Sequence, residues 1–149
     1  MKNLYIAGID GIDIGQEQTS EFTKNPSKFC IVIKKRQFGL QSPKYVAYYM
    51  LRPDDIRDAY KAAIKLMIYY NCICNIEATR LSFWNWCKNN GWAHFFMRRP
   101  RATYPETAKK ISNSIGTPAT KAVIDHQTDL IAAYVEDYCS EIWFPEILD

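Results

Sequence analysis

The order in which hydrophobic periodicity changes along the chain constrains the fold more than any single motif. Leu4 to Asp10 is a short apolar run broken by Gly11, and residues 16–27 are polar. Lys28 to Lys34 and Lys44 to Leu51 are β-branched and aromatic runs separated by Gly39 and Pro43. Three strand-type segments in succession predict a meander. Pro53-Asp54-Asp55 then opens a helix, with acids at the positive end of its dipole and Ile56, Tyr60, Ala63, Met67 and Tyr70 at helical spacing. Cys72 to Ala78 follows directly, as expected of a parallel strand reached by a crossover. A helix over about Leu81 to Asn90, a fifth strand from Trp92 to Met97 and a loop from Arg98 to Gly116 come next. Thr117-Pro118 opens a long amphipathic helix running to about Ile142, with Val123, Leu130, Tyr134 and Tyr138 as its apolar stripe. The expected architecture is a mixed α/β sheet of five strands, three antiparallel and then two parallel, flanked by helices.

At 149 residues without internal repeat or linker, the chain is expected to form a single domain, 1–149, held by its own hydrophobic core. Five cysteines without framework spacing, and no signal-type N-terminus, point to a reducing compartment, with Cys72 and Cys74 as core residues. Apolar runs far shorter than about 20 residues argue against a membrane span. The net charge is only +3 but unevenly spread. No Lys or Arg follows Lys121, whereas seven of the 16 acids do, so residues 1–121 carry +10 and the rest −7. A basic body of this kind suits a polyanionic partner.

Two carboxylates carry the chemistry. Asp10 ends the first predicted strand and Glu77 comes late in the fourth, where an ionised group leaving an apolar strand is costly unless paired or bound to metal. Adjacent strands place them side by side, and a divalent cation relieves their repulsion while using both as ligands. Oxygen donors select Mg²⁺ or Mn²⁺, and the recurring task of a two-ion carboxylate site is phosphodiester hydrolysis. Asp13 and Glu17, just after the first strand, are candidates for outer contacts, or for plain loop solvation. Arg98, Arg99 and Arg101 form a cluster suited to DNA phosphates. Phe83, Trp84, Trp86 and Trp92 fit core packing better than base stacking. No G-x-x-x-x-G-K-[ST] loop occurs, so this chain is not expected to hydrolyse ATP.

In order and spacing, several stretches resemble the nuclease domain of tailed-phage terminase large subunits. They are Tyr5-Ile-Ala-Gly-Ile-Asp10, Phe29-Cys-Ile-Val-Ile-Lys34, Arg52-Pro-Asp-Asp-Ile-Arg57, Asn75-Ile-Glu77, Met97-Arg-Arg-Pro100 and Gly116-Thr-Pro-Ala-Thr-Lys121. The resemblance implies a ribonuclease H-like fold that cuts concatemeric double-stranded DNA with Mg²⁺ or Mn²⁺, Asp10 and Glu77 matching the first two metal-binding acids. It also implies a terminase ATPase portion, a small terminase subunit and a portal as partners, in the cytoplasm of an infected bacterial host. With Met1 almost at the first strand-like run, the chain is expected to lack the ATPase domain that precedes the nuclease in that family. Its third acid sits on a helix that would follow Phe144-Pro-Glu-Ile-Leu-Asp149, so the chain is expected to be a domain truncated at its C-terminus. His126-Gln-Thr-Asp129 resembles the H-x-x-D of ribonuclease H-like resolvases and makes Asp129 a rival third ligand, although its helix face is expected to meet solvent. The alternative function is a catalytically silent DNA-binding or docking fragment of a split terminase.

Overall fold

A computed structural model describes residues 3–12, 27–100 and 114–148. Its strands are β1 (Tyr5–Asp10), β2 (Phe29–Lys35), β3 (Lys44–Leu51) and β4 (Ile73–Ile76). They form one sheet in the order β3-β2-β1-β4. β1 pairs antiparallel with β2, and β2 with β3, while β4 lies parallel to β1. The parallel pair requires the chain to return to its starting edge, and α1 (Ile56–Tyr70) makes that crossover. The Asp55 carboxylate accepts the Arg57 N–H at 2.9 Å and caps the start of α1. Asn71, with φ 46°, turns the chain out of it. The architecture is thus mixed α/β, with α2 (Ser82–Asn89) and α3 (Lys121–Tyr138) as the other α-helices among the described residues.

The two faces of the sheet are covered unequally. Alternate residues of the strands, Ala7, Ile9, Phe29, Ile31, Ile33, Cys74 and Ile76, are buried in one core cluster with Ile56, Tyr60, Ala63 and Met67 of α1 and Phe83 and Cys87 of α2. The rings of Phe29, Tyr60 and Phe83 meet at centroid distances of 5.0–5.7 Å. Trp84, Trp86 and Trp92 pack half-buried against the same cluster, as core packing requires. On the other face α3 buries only Val123. Its far end is tied down by polar contacts: Lys34 Nζ donates to the Tyr134 hydroxyl at 2.6 Å and pairs with Glu141 at 3.1 Å, and Tyr134 donates to Glu141. Between this helix and the sheet lies an apolar cleft of about 550 Å³, with Ile6, Gly8 and Val32 on its floor and Leu130 and Val135 above.

Two expectations are corrected. Among the described residues the sheet has four strands, not five. The stretch expected as a fifth makes a 3-10 turn at Ala93–Phe95 and then a single parallel bridge, Phe96 to Cys74. It gains no length because the free edge of β4 is shared: Thr117 takes the other end, bridging to Glu77. Thr117 is therefore a sheet residue and not a helix cap. α3 begins four residues later, after Thr120, and ends at Tyr138, where a 3-10 turn at Cys139–Glu141 lets Glu141 reach Lys34. Among the described residues no helix is long and apolar enough to cross a membrane.

Candidate functional site

Strand register decides where the two acids stand. Gly8 pairs with Asn75 and Ile9 with Ile76, and the ladder runs one step further, because the Glu77 N–H donates to the Ile9 carbonyl at 3.0 Å. Asp10 and Glu77 are thus neighbours on strands about 4.8 Å apart. Residues in register on paired strands share a face, and this is the face of Gly8 and Asn75, away from the α1 core. Asp10 is exposed and Glu77 half-buried, so both are reachable from solvent. Thr79 Oγ1 donates to Glu77 Oε1 and holds that carboxylate.

The same transverse row continues on both sides. Cys30 of β2 is opposite Asp10, and Thr117 flanks Glu77. Burial, and then the Asp10 charge, push the Cys30 thiol up, which agrees with its place beside the carboxylate. Thr117 is 4% exposed and satisfied: its hydroxyl donates to Asn75 Oδ1 at 3.2 Å, and Asn75 Nδ2 donates back to Oγ1 at 3.0 Å. That pair, with the backbone bonds from Thr117 N–H to Ile76 O and from Ala78 N–H to Thr117 O, both 2.8 Å, braces Glu77 from the outer edge. On the inner side, the buried Tyr60 hydroxyl donates to Ile12 O at 3.0 Å and fixes the chain just beyond Asp10.

No family model, curated protein or solved structure matches this chain. The site therefore has to be judged on its own chemistry. Two carboxylates on one face are hard oxygen donors, which suits Mg²⁺ or Mn²⁺. Among the described residues, no three His, Cys, Asp or Glu side chains gather as a metal-holding group. Asp129 is exposed on α3 and is not brought into such a group with Asp10 and Glu77. Asp13, Glu17 and Arg101 lie outside the described residues.

The arginine cluster divides by role. Arg98 is exposed and bridges to Ile115. Arg99 donates from Nε to the Gly116 carbonyl at 2.9 Å, and from its N–H to Ser114 O at 2.9 Å, so it braces the segment that carries Thr117. The sequence reading missed Thr117, Asn75 and Tyr60 as positioning residues. Only the placement of Asn75 two residues before Glu77, on the same strand face, was available as a signal.

Proposed function

We propose that this chain is a metal-dependent endonuclease domain of the terminase type, with a ribonuclease H-like fold and double-stranded DNA as its substrate. The observation that carries the reading is the register of Asp10 and Glu77, side by side at the ends of the parallel pair β1 and β4 on the face away from the main core. Asp10 and Glu77 would hold Mg²⁺ or Mn²⁺. The chemistry that Mg²⁺ or Mn²⁺ would supply there is activation of a water and stabilisation of a leaving oxygen in phosphodiester hydrolysis. Thr79 and the Asn75–Thr117 pair keep Glu77 from swinging away, and Tyr60 does the same for the chain beyond Asp10. Arg98 and Arg101 are assigned to the DNA backbone, and Arg99 to bracing the Gly116 segment. Asp129, exposed on α3 and not grouped with the two acids, is not given a ligand role in this reading. The packaging ATPase, the small terminase subunit and the portal are the partners that go with it, in the cytoplasm of an infected bacterium.

The test is nicking of supercoiled plasmid in Mn²⁺. Asp10→Asn and Glu77→Gln should each lower cleavage at least 100-fold, in the range lost when a charge-stabilising group is removed, while duplex binding persists. Cleavage unchanged in both variants would overturn the proposal. Duplex binding without cutting in the wild type would instead leave the silent docking module.

A further inference from the structure

The β2–β3 hairpin projects from the end of the sheet opposite the acids, and its charge is one-sided. Between Phe29 and Leu51 it contains four cations, Lys34, Lys35, Arg36 and Lys44, and no Asp or Glu. At the tip, Phe38 and Gln41 exchange both backbone hydrogen bonds, at 3.2 and 3.0 Å, around Gly39, whose φ of +56° the tight turn requires. This closed turn holds Leu40 fully in solvent, at 105% of its reference exposure, with Phe38 beside it at 47%.

Below the turn, Lys35 and Lys44 stand directly opposite each other in register, a like-charge pair that costs stability unless an anion lies between. Arg36 is exposed next to them. The ion pairs formed among the described residues join Lys34 to Glu141, Arg57 to Asp55 and Lys61 to Asp58, so none falls on Lys35, Arg36 or Lys44. Lys35 is held in place by donating to Gln41, and Lys44 Nζ lies 5.6 Å from the Trp143 ring centroid. The tip therefore presents an apolar point between ordered cations.

We infer that this hairpin tip is a second duplex-DNA contact, separate from the acid pair, in which Lys35, Arg36 and Lys44 meet phosphates and Leu40, with Phe38, enters the minor groove. The choice of DNA rests on the endonuclease reading above. Charge complementarity selects a polyanion, and an apolar wedge flanked by cations is how proteins grip and kink the minor groove. One exposed leucine and a half-exposed phenylalanine bury little area for anchoring to a lipid surface. Lys35 pairs with Tyr5 and Cys30 with Asp10, so five residues of strand, about 17 Å, separate the tip from the acids. Substitutions at one place leave the other intact.

Binding of a labelled 30-base-pair duplex to the full chain in EDTA, followed by fluorescence anisotropy over a salt series, tests this. The triple variant Lys35→Gln, Arg36→Gln, Lys44→Gln should bind roughly tenfold more weakly near 0.1 M salt and lose about 2–3 from the log–log salt slope. Leu40→Ser should bind several-fold more weakly with the slope unchanged. Lys35→Arg with Lys44→Arg should bind as wild type. If the triple variant fails to fold, Arg36→Gln alone must lower the slope by about 1. Wild-type affinity and slope in the triple variant would overturn the inference, as would loss of binding to vesicles containing phosphatidylglycerol with duplex binding unaltered. If Asp10→Asn leaves cleavage intact while the triple variant binds DNA poorly, the hairpin contact stands and the endonuclease site falls; the converse result separates them the other way.

Discussion

Gly116 shows how one residue sets the geometry of the acid pair. Its φ is +74°, and a Cβ added there would run into the Ile76 carbonyl oxygen to which the Thr117 N–H donates. Any larger residue must push the Thr117 bridge off β4, and Glu77 loses its outer support. Gly116→Ala is expected to cost about 3 kcal/mol in urea unfolding, the upper part of the range for backbone strain. It should also reduce metal-dependent cleavage more than a stability loss of that size explains. The thiols give a second residue-scale outcome. Burial pushes Cys72 up to about 11 and Cys87 up to about 12, and Cys74 well above its ordinary value, whereas Cys139 is exposed. In the native protein at pH 8 an aromatic disulfide reagent should titrate Cys139 quickly and Cys30 slowly. The three core thiols should appear only on unfolding, and fast reaction of all five would contradict the buried β4–α2 packing.

Among the elements, α3 is the one fixed by polar contacts more than by a buried stripe. Burial alone would push the Glu141 carboxyl up, but hydrogen bonds from Tyr134 and Lys34, and the Lys34 charge, outweigh it and hold the group below the ordinary carboxylate range. A carboxyl depressed in the folded state stabilises fully above its unfolded pKa of about 4.3, and that contribution disappears as pH falls through the depressed value. The C-terminal end of α3 is therefore expected to loosen below about pH 4, detectable as faster amide exchange over α3 while β1 and α1 stay protected. Glu141→Gln should bring the same loosening to neutral pH, and exchange unchanged in that variant would contradict the tie. The sequence carried α1 in full, because Asp55 and the Ile56, Tyr60, Ala63, Met67 repeat are local signals. It carried β1 to its last residue, since Gly11 follows Asp10. It missed how the β4 edge is divided between Phe96 and Thr117, because single-residue bridges leave no periodicity to detect. It likewise placed the start of α3 at Thr117, where Thr-Pro looks like a cap, although pairing with Glu77 keeps that threonine in the sheet.

For the molecule as a whole, the division of labour follows the two faces of the sheet. The α1 and α2 side supplies the core, with Phe29, Tyr60 and Phe83 fully or almost fully buried. The other side carries Asp10, Glu77 and the cleft beneath α3, so the two acids stand where packing is thinnest. The pairing of the two acids was legible in the sequence, because a strand, a crossover helix and a second strand put their C-terminal ends together. Its bracing was not, since Tyr60 and Thr117 reach the site from distant points of the chain, and the partner that gives Asn75 its role, Thr117, lies 42 residues away. The central claim, that these two carboxylates form one cation site, is tested most directly by calorimetric titration of Mn²⁺ into the full chain and into Glu77→Gln. The account predicts saturable binding in the wild type that is lost in the variant; no saturable heat, or heat unaltered by Glu77→Gln, would contradict it.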